Sequence, residues 1–155
     1  MHPNVARVGE ILRAAGATGE PVQLADSTRT AAEAAAALGC EVGAIASSLV
    51  FAADGDPLLV VTSGAHRVDT EHVAGLLGVG RIKRADADMV RAATGYAIGG
   101  VAPVGHPAPM RTLVDVALAD HDVVWASAGH SHAVFPTSYA ELLRLTGGTS
   151  AEVGP

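Results

Sequence analysis

The segment GYAIGGVAPVGHP, Gly95 to Pro107, holds four glycines and two prolines. The chemistry open to it is that of the backbone: glycines let N–H and C=O groups approach a ligand closely, and Pro103 and Pro107 lower the entropy of holding them there. It matches neither familiar phosphate cradle, since no Gly-Lys-Ser/Thr completes a P-loop and no G-x-G-x-x-G runs from a strand into a helix. The same residues also read as a structural loop of positive-φ glycines stiffened by prolines. In SAGHSHAVF, His130 could accept a hydrogen bond or relay a proton, its unperturbed pKa being about 6.5, or could be a loop histidine with no role. With His132 it forms an H-x-H pair, but no third ligand stands at a recognisable spacing, so no metal is expected. Ser47 and Ser48 lack a G-x-S-x-G elbow and an assignable base, which argues against a covalent mechanism. Cys40, the lone cysteine, reads as a small buried residue closing an alanine-rich helix.

These residues need elements to position them. Val5, Val8, Ile11 and Leu12 recur at helical spacing, predicting a first helix that ends near Gly16. A short strand over residues 21–25 follows, then a helix through AAEAAAALG capped by Ser27 or Thr28 and closed by Gly39. AIASSLVFA and LLVVTSG read as the arms of a hairpin around DGDP. Both faces of the first arm carry apolar residues, as expected of an interior strand. Helices through DTEHVAGLLG, started by Asp69 or Thr70, and ADMVRAATG, started by Asp86 and stopped by Gly95, flank a strand in RIKRA. TLVDVAL and DVVWASAG are further strands, and Ser138 and Glu141 form a capping box for YAELLRLTGG, with Pro136 setting the turn into it. The irregular alternation implies a mixed sheet covered by helices, an α+β single domain over residues 1–150 with 151–155 as a frayed tail.

With 155 residues, 49% of them hydrophobic, the chain can bury one sizeable core. No apolar run is long enough to span a membrane, and the N-terminus is amphipathic, not signal-like, so a cytoplasmic protein is expected. A formal charge of −6 opposes a broad grip on DNA or RNA while allowing contact with one RNA end. Lys83, the only lysine, reads as a solvated surface residue.

GYAIGGVAPVG, preceded by GAIASSLVF and VTSGAHRVD and followed by VVWASAGHSHAVFPTSYAELLRLTGG, resembles the YbaK and prolyl-tRNA-synthetase-associated domain family. The resemblance runs from about Ala31 to Gly148. It implies a partly barrel-like mixed sheet and a cofactor-free hydrolase that removes small misattached amino acids from the acceptor end of tRNA, acting in trans. In that family a G-x-x-x-P loop, here Gly99 to Pro103, lines the pocket around the amino acid. Gly99, Gly100 and Pro103 would place the ester and the attacking water, Val101 and Ala102 would contact the substrate, and the terminal adenosine's 2′-hydroxyl would assist. Orientation and backbone oxyanion stabilisation suit an ester that is already labile. Gly129 and His130 correspond to the far side of the pocket, near the substrate amine. Asp115 corresponds to an acidic strand-end residue that orients an Arg or His or caps a turn. His66 and Arg67 fall in a polar loop able to reach a phosphate.

The sequence departs from the family at its most diagnostic position, a lysine whose place is taken by Ser47. A serine can donate a hydrogen bond to a phosphate or orient a water, but it lacks the point charge. Three accounts follow. Arg67, Arg81, Arg84 or Arg111 takes over phosphate contact in a working deacylase; the protein binds an aminoacyl-adenosine or other small ligand without hydrolysing it; or it acts on another acyl ester or amide. An aminoacyl-tRNA synthetase is a further conceivable partner, and no sequence feature marks an oligomeric state.

Overall fold

The computed structural model describes residues 1–155. Five helices cover one mixed eight-stranded sheet, in chain order α1 (Pro3–Ala14), β1 (Val22–Gln23), α2 (Ala31–Leu38), β2 (Ile45–Ala53), β3 (Asp56–Ser63), α3 (Thr70–Leu77), β4 (Ile82–Arg84), α4 (Ala87–Thr94), β5 (Arg111–Asp115), β6 (Val124–His130), β7 (Ala133–Thr137), α5 (Tyr139–Thr146) and β8 (Thr149–Ala151). Neighbouring strands run in the order β1-β7-β6-β2-β3-β5-β8, with β4 joined to β2 beside that path. The two ends of the path are not paired with each other, so the sheet is open and forks at β2.

The β2–β3 hairpin turns at Asp54 (φ 49°) and Gly55 (φ 89°), two consecutive left-handed residues whose twist matches that of the flanking strands. The Asp54 carboxylate also accepts from the Gly80 and Arg81 N–H groups, at 2.9 and 2.8 Å, anchoring the start of β4. Those bonds hold its carboxyl below the usual range. β2 is interior, as its two-faced apolar pattern requires: it pairs with β3 on one edge and with β6 and β4 on the other.

A large core lies between one face of the sheet and the helices α1, α4 and α5, with Val5, Val8, Leu12, Tyr96, Phe135 and Leu142 at most 1% exposed. A smaller one joins Phe51, Leu58 and Val60 to Val73 of α3 and Val153.

Most element boundaries agree with the sequence reading, and the differences have local causes. Thr30, and neither Ser27 nor Thr28, caps α2: its hydroxyl accepts from Glu33 N–H at 3.1 Å. TLVDVAL is a strand only to Asp115, whose carboxylate then caps a short 3-10 turn over Val116–Asp120. AVFPT, expected only to lead into a turn at Pro136, is strand β7, pairing with β6 on one side and with β1 for two residues on the other. The frayed tail is a correction. Thr149–Ala151 extends the sheet in parallel with β5, Val153 is fully buried, and the Val153 and Pro155 carbonyls accept from Asp69 and Arg67 N–H at 2.7 and 2.9 Å.

Candidate functional site

Midway along β2 the strand changes partner. Ile45 and Ala46 pair with Trp125 and Ala126 of β6, whereas Phe51 to Ala53 pair with β4, so Ser47, Ser48 and Leu49 have no strand partner on that edge. Parallel strands that part leave a crevice with unpaired backbone groups along it, the position where open sheets commonly take ligands. Here it is a cleft of about 460 Å³. The sheet contributes Ser47 to Leu49, Trp125 and Ser127 to its lining, the glycine-rich loop Gly99 and Val101, and the residues leading into α2 a third side.

The glycines are there because backbone and neighbouring atoms crowd them. Gly99 has φ +87°, and a Cβ on it would lie 3.1 Å from Arg29 Nε and 3.3 Å from Arg29 Cγ. Gly100 lies flat on the β6–β7 turn, where an added Cβ would stand 3.2 Å from His130 Cα, and its N–H donates to the Ala97 carbonyl at 2.9 Å. Thr28 clips the third side of the cleft to the same turn, its N–H and hydroxyl both donating to the Ser131 carbonyl, at 2.6 and 3.0 Å.

Arg29 and Arg84 are the basic residues of the lining and Glu33 its acidic one, a net positive balance on a chain whose overall charge is negative. Arg84 lies over the Phe51 ring with Cζ 5.6 Å from its centroid. The Ser48 hydroxyl oxygen is buried and meets no donor or acceptor of the protein. Ser48 shares its strand face with Ala46 and Val50 of the large core.

The cleft thus gathers Ser47, Gly99 and Val101, with Gly100 directly behind. Ala102 and Pro103 are buried at the back of the loop and do not line it. Gly129 (φ +98°) is a support: it lies under Tyr96, whose Cε1 would be 2.9 Å from a Cβ there. His130 stands outside the lining with ring centroids 4.7 Å from His2 and 5.7 Å from His132. Burial first, and then the two neighbouring imidazoles, hold its pKa below the ordinary value. Arg67 is exposed and tied through its backbone to Pro155, so its position gives no support to the expected phosphate contact. Of the four arginines considered as substitutes for the lysine, Arg84 lines the cleft and Arg67, Arg81 and Arg111 do not.

Asp115 takes both expected roles. Almost fully buried, it accepts from His66 Nδ1 at 2.9 Å, Ser63 N–H at 3.0 Å, Thr62 Oγ1 at 3.3 Å and Ala117 N–H at 3.0 Å. Arg29, Trp125, Ser127 and the buried hydroxyl of Ser48 were not assigned to the site from sequence. Strand alternation could have put Trp125 and Ser127 on one face of β6, but nothing in the local pattern pairs Arg29 with Gly99.

A model of the aminoacyl-tRNA editing domain matches residues 25–145. The chain is 28% identical over 130 residues to a proline–tRNA ligase of Geobacter sulfurreducens, a match that covers 77% of this chain and 22% of that protein. It is 28% identical over 117 residues to the uncharacterized protein YwhH of Bacillus subtilis, covering 75% of this chain and 74% of that one. The chain therefore spans about a fifth of the length of the ligase and most of the smaller protein. A crystal structure described as a candidate trans-editing enzyme for prolyl tRNA synthetase superposes with a TM-score of 0.93 at 40% identity, covering 100% of this chain and 99% of that one.

Proposed function

The chain belongs to the aminoacyl-tRNA editing domain family, and from that premise we propose that it deacylates mischarged tRNA in trans with the cationic role of the family lysine moved from the β2 position to Arg84 and Arg29. The observation that carries this reading is the cleft itself. Its lining includes Gly99 and Val101 of the glycine-rich loop, a serine at position 47, and two arginines, Arg29 and Arg84. Guanidinium is permanently charged and grips phosphate through a planar fork of donors, so two arginines at the lining can hold the terminal phosphate that one lysine would hold as a point charge.

With that end held, the ester carbonyl lies against the loop. Water adds to the carbonyl carbon as the neighbouring 2′-hydroxyl of the substrate accepts the water proton and relays its own hydroxyl proton to the adjacent 3′-oxygen. The carbonyl oxygen becomes an oxyanion stabilised by backbone N–H groups of the loop. Collapse breaks the bond to the 3′-oxygen, which takes up that proton, and the amino acid leaves. Ala46, Ser48, Val101 and Ala126 line the inner part of the cleft with short side chains, which favours a small amino acid. A prolyl-tRNA synthetase is the partner this reading favours, because the structural neighbour is described in those terms. The cytoplasm is then the place where substrate and enzyme meet.

The test is hydrolysis of tRNAs carrying alanine, cysteine, serine or threonine, with prolyl-tRNA as the correctly charged control. The wild type is compared with Ser47→Lys, Arg29→Gln and Arg84→Gln. One mischarged species should be cleaved, and each arginine variant should raise KM by about tenfold, the loss of one charge-assisted contact. An inert wild type, with activity appearing only in Ser47→Lys, would show a binding relative whose chemistry has lapsed.

A further inference from the structure

A catalytic wall made of backbone has no side-chain rotamer to lock, so something must grip the chain itself. We propose that Arg7, Tyr96 and His106 form a clamp on the back of the glycine-rich loop, with His106 a positioning residue for hydrolysis that neither gives nor takes a proton in it. The kinetic part of this inference rests on the deacylase reading above; the structural part does not.

Three carbonyls of the loop's descending limb are held. His106 Nε2 lies 2.8 Å from the Ala102 carbonyl oxygen, which can only accept, so that nitrogen carries the hydrogen. The Tyr96 hydroxyl donates to the Val104 carbonyl at 2.6 Å, and Arg7 Nη1 donates to the Gly105 carbonyl at 3.0 Å. The three side chains also support one another. The Tyr96 and His106 rings meet edge to face with centroids 6.2 Å apart, and Arg7 Cζ lies 5.5 Å from the Tyr96 centroid. Tyr96 is completely buried, and two glycines make room for it. A Cβ on Gly105 (φ +82°) would fall 2.6 Å from its hydroxyl oxygen, and one on Gly129 would fall 2.9 Å from its ring.

This arrangement explains why a histidine follows the loop. The peptide between Ala102 and Pro103 has no N–H, so neither a strand nor a helix can hold that plane through its donor side. The carbonyl is the remaining handle, and His106 takes it. Peptide planarity fixes the Ala102 Cα together with that carbonyl, and the burial of Ala102 and Val101 in the core holds the chain from there toward the cleft. The ascending limb is held separately, by the Gly100 to Ala97 hydrogen bond and by the Thr94 hydroxyl, which accepts from Tyr96 N–H at 3.0 Å. Burial pushes the His106 imidazole below its ordinary pKa, which keeps the ring neutral near neutral pH. Preorganisation of this kind acts on the chemical step more than on affinity.

The deciding experiment uses His106→Ala, His106→Gln and, at an exposed position, Arg7→Ala. Amide hydrogen exchange of the free protein should be about tenfold faster or more at Gly99 to Ala102 in both alanine variants, near wild type in His106→Gln, and unchanged in the β2–β3 hairpin throughout. Single-turnover deacylation should fall by about tenfold in His106→Ala with KM altered by no more than about twofold, and recover in His106→Gln with an unaltered pH profile. Unchanged loop exchange in the alanine variants overturns the clamp. A glutamine variant as inactive as alanine overturns the positioning role in favour of acid–base chemistry. A wild type inert on every tRNA overturns the deacylase reading instead, and the exchange data still decide the clamp.

Discussion

Replacing Ser48 by alanine should stabilise the protein and impair it together. The Ser48 hydroxyl oxygen is buried at the cleft with no partner. A buried hydroxyl left without a hydrogen bond costs about 1–3 kcal/mol, and Ser→Ala removes it while leaving the strand's packing volume nearly unchanged. Taking the low end because the side chain is only partly enclosed, the folded state should gain about 1 kcal/mol. For a chain of this size that raises Tm by about 2–4 °C. If the hydroxyl waits for a polar group of the aminoacyl end, the variant forfeits one hydrogen bond in the bound state. A loss of about 1.4 kcal/mol lowers kcat/KM about tenfold. Urea or thermal unfolding measures the first quantity and deacylation of the preferred mischarged tRNA the second. The reasoning is refuted if Ser48→Ala is less stable than wild type, since the hydroxyl would then have a partner in the free protein. It is equally refuted if stability rises and kcat/KM does not change, since the hydroxyl would then face no substrate.

Deleting residues 152–155 removes a fully buried Val153 and two backbone hydrogen bonds, to Asp69 and Arg67. The loss should be about 3 kcal/mol, seen as a fall in Tm of about 6–12 °C, and a truncated chain as stable as wild type would show those residues to be dispensable. Acid should weaken the fold through His106 and His130, whose folded pKa values lie below the ordinary one. The unfolded chain binds their protons first, so stability is complete above about pH 6.5 and falls as pH drops from there toward the folded values. Thermal melts at pH 7.5 and 5.5 should show that decline, and it should be shallower in His130→Gln; a slope of the opposite sign would contradict the assignment.

Helices were legible because their signals are local. Asp69, Asp86 and Ser138 cap their helices through N–H groups three residues on, and Gly39, Gly78, Gly95 and Gly147 take the left-handed conformation that ends them. The hairpin was legible for the same reason, a two-residue turn joining arms of matching apolar pattern. AVFPT and the C-terminal residues misled because their order comes from partners far along the chain. β7 is held by β6 and β1, and Thr149–Ala151 by β5, none of which its own composition announces.

The site divides along the same line. What the sequence by itself determined was a loop rich in glycine and proline, because those residues carry their backbone preferences wherever they stand; that Gly99 to Pro103 should border a pocket, and that Ser47 stands in the place of a lysine, came from the resemblance to the editing-domain family. Only the tertiary structure decided what surrounds them. The fork of β2 between β6 and β4, Arg29 against Gly99, Arg84 in the lining and the grip of Arg7, Tyr96 and His106 on the loop join residues distant in sequence. Such contacts depend on which strands pair and in what register, a choice made by burial over the whole chain and carried by no single segment.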